Sequence, residues 1–211
     1  MLRTLTIIGC LLAVPVEAAE WKSADSKLSV EIPDESKFVI GEADPPIAAI
    51  WISNDETIKL SVVEVPMPPG VKLIQSSAEE GLAEEMGGEI IESSSRQLNG
   101  HDVYFMTCHG TIQDTELYFS QSIAAIEGKV YKLMAIGMGR DIRGDADVHR
   151  FFDSLQIHVA HRPSPARSRT AEREEEDDQT SVDNWSGKIG AISLLFLLGF
   201  GVSKLLSKSR R

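Results

Sequence analysis

Between residues 89 and 138, apolar and polar positions fall into four strand-length stretches separated by two-residue turns. Glu89–Leu98 meets His101–Ile112 through Asn99-Gly100, Thr115–Ile126 follows Gln113-Asp114, and Lys129–Met138 follows Glu127-Gly128. Asn-Gly is the strongest short hairpin signal, because both residues accept the positive φ of the favoured turns. Strands joined so closely can pair only antiparallel, which predicts a meander. In the second strand Tyr104, Met106 and Cys108 share one face, and Val103, Phe105 and Thr107 the other. In the fourth, Val130, Met134, Ile136 and Met138 oppose Tyr131, Leu133 and Ala135. Apolar residues on both faces predict a sheet covered from both sides. Ser93, Ser94, Ser95, Arg96 and Gln97 make the first of these strands polar and place it near an edge.

The flanking pattern supplies the cover. Lys27–Ile32 alternates like a half-buried strand and stops at Pro33, and Asp44-Pro45-Pro46 is a rigid break. Ile47–Ser53 and Thr57–Val65 read as a hairpin turning at Asn54-Asp55-Glu56, ended by Pro66, Pro68, Pro69 and Gly70. A helix follows, with Ser77 and Glu80 spaced as a capping box and Ala78, Leu82 and Met86 on one stripe. Gly87-Gly88 stops it. A last helix is expected with Asp145 as N-cap and Val148, Phe151, Phe152 and Leu155 at i, i+3, i+4 and i+7. A short strand at Gln156-Ile157-His158 follows. No internal repeat is visible. The fold class is α+β: an antiparallel sheet, hairpin plus four-stranded meander, sandwiched by helices.

Outside residues 20–159 the pattern changes character. Residues 1–19 carry Arg3, the apolar run Leu5–Val14 and the small-residue site Val16-Glu17-Ala18, which together predict a signal peptide. Ile7-Ile8-Gly9-Cys10 matches a lipoprotein box, but Cys10 lies inside the apolar run rather than at its end. Residues 160–187 lose apolar content, setting Arg162, Arg167 and Arg169 among prolines and serines before an acidic run at 172–178. Such a segment buries too little surface to order itself and reads as a disordered charged linker. Residues 188–206 read as a transmembrane helix: Ile189–Leu206 is apolar apart from serines, glycines and Lys204, and at about 1.5 Å per residue reaches just far enough to cross a hydrocarbon core of about 30 Å. The basic tail at 207–211 puts the C-terminus in the cytoplasm, so the expected topology is single-pass in the cell membrane with an extracytoplasmic domain. A cleaved C-terminal sorting signal has the same pattern.

Charge narrows the partners. The chain of 211 residues has a formal net charge of −11, and between Glu20 and Val159 there are 24 acidic against 11 basic side chains. That balance argues against nucleic acid and against adhesion to anionic lipid. With Cys10 removed, Cys108 stands alone and no intramolecular disulfide can form.

Candidate chemistry is sparse. The sequence holds no G-x-S-x-G, no H-E-x-x-H and no phosphate-binding glycine loop. Cys108-His109 suggests a thiol dyad, yet adjacent strand residues point to opposite faces. Tyr104, Met106 and Cys108 share a face where soft ligands suit copper(I), but core packing is the better explanation, since Met134 and Met138 fit the same interior. His158 and His161 straddle the end of the domain, where zinc would need a carboxylate to complete its set. Asp141, Asp145 and Asp147 surround Gly144 with oxygen donors at alternate positions, a weak candidate for calcium that fails the twelve-residue EF-hand pattern. Capping and the helix dipole account for Asp145 and Asp147 without a metal. No cofactor is implied.

Hairpin, helix, meander and closing aromatic helix, ending in Phe151-Phe152-Asp153-Ser154-Leu155-Gln156-Ile157, resemble the PsbP-like superfamily. That superfamily includes extrinsic photosystem II subunits, a Ran-binding nuclear import factor and envelope proteins of the DcrB type. The resemblance covers about residues 27–158 and rests on element order rather than on a motif. It implies an antiparallel sheet between helices and a non-catalytic, partner-binding role, with no functional residue to carry over. The expectation is a membrane-anchored extracytoplasmic interaction module or accessory subunit with a protein partner, and not an enzyme. The alternative is a surface-tethered carrier of a small ligand or metal, which would show a concave site.

Overall fold

The computed structural model describes residues 19–112 and 114–160. The expected signal peptide, linker, transmembrane helix and basic tail lie outside the described residues, apart from the border positions Ala19 and Ala160. Among the described residues no helix is long and apolar enough to cross a membrane.

The four meander strands form where the alternation places them: β6 (Glu89–Leu98), β7 (His101–Ile112), β8 (Thr115–Ile126) and β9 (Lys129–Met138). All three connections pair antiparallel, with Leu98 opposite His101, Ile112 opposite Thr115 and Ile126 opposite Lys129. Asn99 and Gly100 both adopt positive φ in the first turn, as Glu127 and Gly128 do in the last. The hairpin of β4 (Ile47–Ser53) and β5 (Ile58–Pro66) joins the meander through β5 and β9. A short strand β3 (Phe38–Ile40) completes a seven-stranded sheet in the order β3-β4-β5-β9-β8-β7-β6. The polar strand β6 is one edge, as its serines predict.

A second, three-stranded sheet was not anticipated. In it β2 (Leu28–Glu31) lies between β1 (Glu20–Lys22) and β10 (Gln156–Ile157). It packs with helix α2 (Ala146–Asp153) over one face of the large sheet. Leu28, Val30, Phe151, Phe152, Leu155 and Ile157 meet Val103, Tyr131 and Leu133 there. Trp51 and Phe105 each set a ring edge against this helix, at centroid distances of 5.8 Å from Phe151 and 5.2 Å from Phe152. Asp145 caps α2 as expected, its Oδ1 accepting from the N–H groups of Asp147 and Val148 at 3.0 and 3.2 Å.

Helix α1 (Gln75–Met86) covers the other face with Ala78, Leu82 and Met86 against Met106, Cys108 and Phe119. The expected capping box is corrected here. The helix starts one turn earlier than Ser77 and Glu80 imply, Ile74 stands at the N-cap without a side-chain bond, and the first turn has no acidic residue. A tertiary contact replaces the local one: Gln75 Nε2 donates to Glu79 Oε1 and to Ser93 Oγ on β6, and Ser93 also bonds Glu79. Gly87 ends the helix at φ 56°, as its position predicts. At Gly88 a Cβ would lie 2.1 Å from the His109 carbonyl oxygen, so only glycine lets the chain pass flat over β7.

The last helix is thus a core element. A secreted chain ending at residue 161 is expected to melt cooperatively, and one ending at residue 146 is not. The second loses Val148, Phe151, Phe152 and Leu155, about 6–12 kcal/mol of apolar burial before offsets, comparable to the whole stability of a domain. Equal thermal transitions for the two chains would remove α2 from the core.

Candidate functional site

Cys108 and His109 sit side by side on β7 and face apart. Cys108 is fully buried beneath α1, and burial, reinforced by Glu89, pushes its thiol up to about 11. Buried and protonated at neutral pH, Cys108 packs as a small apolar side chain. His109 instead stacks on Tyr118 of β8 at 4.6 Å and places Nε2 2.9 Å from Glu116 Oε1. The guanidinium of Arg143 lies 5.6 Å from the Tyr118 ring centroid. Met106, the neighbouring soft donor, is buried and accepts from Gln121 Nε2 at 3.1 Å.

The three aspartates around Gly144 diverge. Asp141 is held by Arg143, with Nη2 at 2.6 Å and Nε at 3.0 Å, and these bonds keep its carboxyl below the usual range. Asp145 caps α2 and pairs with Arg140 at 2.6 Å. Asp147 accepts from Lys37 Nζ at 2.8 Å, which ties α2 to the chain before β3. Among the described residues no group of three or more His, Cys, Asp or Glu is placed to hold a metal ion. His158 lies against Ser29, Nε2 to Oγ 2.7 Å, and His161 lies outside the described residues.

Two sites escaped sequence reasoning. The first is Asp25, in the turn between β1 and β2. It accepts from Tyr131 Oη at 2.7 Å, from Lys129 Nζ at 2.9 Å and from Ser23 Oγ at 2.8 Å. Burial works to raise this carboxyl, but the bonds from Lys129, Tyr131 and Ser23 outweigh it and hold it far below the carboxylate range. Burial, together with the same contact, drives the Tyr131 hydroxyl up, so it stays protonated and donates to Asp25. Lys129 also reaches Glu64 at 3.3 Å, and Lys27 reaches Glu127 at 2.9 Å. The cluster fastens the small sheet to the end of the large one. The second is Lys132, a buried cation on the face beneath α1, which burial pushes down to about 8 against the opposing pull of Glu85.

The order of these elements, a seven-stranded antiparallel sheet with α1 on one face and α2 with a small sheet on the other, defines a PsbP-like fold. The backbone is similar to the solution structure of cyanobacterial PsbP (CyanoP) from Synechocystis sp. PCC 6803, with a TM-score of 0.54 at 12% identity, over 72% of this chain and 99% of that one. Looser likenesses link it to a protein of unknown function, PA94, from Pseudomonas aeruginosa (TM-score 0.41, 12% identity, 70% of this chain, 99% of that one). Another is LpqN, involved in cell envelope biogenesis of Mycobacterium tuberculosis (TM-score 0.33, 12% identity, 69% and 87%). Both are too distant to bear on function. The sequence matches no protein-family model and no curated protein. At such identities the likeness carries the fold and nothing more.

Two outcomes follow. Cys108→Ala should cost about 1 kcal/mol and leave any cellular phenotype intact, and a maleimide should label the native thiol only after unfolding. A phenotype lost with the protein still folded would restore a chemical role. Asp25→Ala should cost about 1–3 kcal/mol at neutral pH. Because the native carboxyl is depressed, its contribution is complete only well above the unfolded value of about 3.9. It is lost as pH falls from about 5 towards the native value. The gap in denaturation midpoint between wild type and variant should therefore close on acidification, and a gap constant from pH 7 to 3 would contradict this role.

Proposed function

We propose that this protein is a non-catalytic interaction module or accessory subunit, displayed outside the cell membrane on a C-terminal single-pass anchor. The observation that carries the reading is how its reactive side chains are used. Cys108 packs in the core with a suppressed thiol, and Asp141, Asp145 and Asp147 each answer a different basic side chain or helix end. These four groups serve the fold. The PsbP-like architecture agrees with this use, and the signal-peptide pattern, the apolar run at 188–206 and the basic tail supply the location.

Protease added outside spheroplasts should digest the domain and leave a small membrane-bound fragment. Affinity capture of the tagged protein from detergent-solubilised membranes should then recover a protein partner in defined proportion. Full protection of the domain would reverse the topology. A wild-type protein that captures nothing while turning over a small molecule would replace the module reading with a catalytic one.

A further inference from the structure

The two edges of the large sheet are treated differently. β6 is long and polar, with a register shift between Ile90 and Glu92. Its Ser93 is fastened to α1, and its Arg96 donates to the Phe152 carbonyl oxygen at 2.8 Å. Bulges and polar or engaged side chains are the usual protections of an exposed edge. β3, only three residues long, carries no bulge and no polar side chain. Val39 and Ile40 are 53% and 75% exposed, and the only other large hydrophobic exposed among the described residues is Ile74.

The backbone of β3 is open as well. Gly41 N–H donates to the Ile50 carbonyl oxygen at 3.0 Å, and Asn54 N–H donates to that of Lys37 at 2.8 Å. The Lys37 carbonyl oxygen and the backbone groups of Val39 and Gly41 therefore turn to β4, while the Lys37 N–H donates to the Asp34 carbonyl oxygen at 2.9 Å. By alternation the N–H and C=O of Ile40 and the C=O of Phe38 point away from the sheet. The Phe38 N–H is taken by the Asp34 carbonyl oxygen at 2.9 Å. Val39 and Ile40 project to opposite faces and give an incoming strand an apolar lip on each side.

Charge selects the occupant. Asp34, Glu35, Glu42 and Asp44 flank the strand and are exposed, against two basic neighbours, Lys37, which is engaged by Asp147, and Arg150 of α2, which acts on Asp34. We infer that β3 is a docking edge for an extended segment of a partner protein, apolar at alternate positions and basic between them, which adds to the seven-stranded sheet as a new strand. A second copy would bring the same acidic flank to the junction. The chain's own basic stretch at 162–169 contains Pro163 and Pro165, which lack the N–H that a strand must offer. The inference rests on the module role proposed above and names the contact and the partner's chemistry.

The test uses the full-length protein in mild detergent with three labelled short peptides: alternating lysine and valine, the same peptide N-methylated at valine, and alternating glutamate and valine. Fluorescence polarisation should show saturable binding of the first alone, the others weaker by about tenfold or more. Ile40→Pro, which removes the outward N–H, should abolish binding with an unchanged melting midpoint. Ile40→Lys, which keeps the N–H but repels the basic segment, should weaken it and serves if the proline variant does not fold. Equal binding of the N-methylated peptide, full binding by a folded variant, or no binding of the lysine–valine peptide would overturn the inference. So would self-association of the wild type that Ile40→Lys removes. Membrane partners captured equally by wild type and Ile40→Lys would sink the edge contact and spare the module role, whereas a wild type without partners would sink the role itself.

Discussion

Four strands in this domain, β5, β7, β8 and β9, are largely buried on both faces, and the other elements are arranged to keep both faces out of water. An antiparallel sheet with one wet face needs a single cover, but this one needs two. On one side the answer is local: α1 enters immediately before β6 and lies back across β7 with Met86 and Leu82. On the other side it is assembled from the two ends of the domain, β1 and β2 at its start and α2 and β10 at its close. Neither of those pieces has a hydrophobic core without the sheet. The cooperativity expected of this fold comes from that mutual dependence.

The meander was legible because its signals are local. Two-residue turns at Asn99-Gly100 and Glu127-Gly128 fix register, and alternation along a strand of ten or twelve residues fixes the facing of Cys108 and Tyr131. The cap of α2 was legible for the same reason, since Asp145 bonds residues two and three positions on. What stayed hidden is non-local. β1 and β3 span three residues each, too few to show a period, and exist because β2 and β4 offer them an edge. Ser77 looked like a cap because the pattern could not reveal that Gln75 is bonded to Ser93, eighteen positions away.

The same division separates the sites. Asp141, Asp145 and Asp147 attract notice in the sequence by their spacing, yet the structure turns each to a different cation. Asp25 attracts none, because its partners Lys129 and Tyr131 lie more than a hundred residues downstream. For these three aspartates, close spacing in sequence did not mean a shared ligand. Across a loop, the nearest arginine or lysine decides what a carboxylate does.

The small sheet has a mechanical consequence. One strand, β2, holds both ends of the domain, with β1 along one side and β10 along the other. A pull on the chain beyond Ala160 would load β10 first. That strand is two residues long, helped by the Asn99 amide on the Ile157 carbonyl oxygen at 3.2 Å and by His101 against that of Val159 at 3.0 Å. The Asp25 cluster lies behind these contacts, and of the meander only the Asn99 turn and the start of β7 would share the load. Under tension the domain would release a short leash of chain before its core was threatened, in the manner of a mechanical fuse.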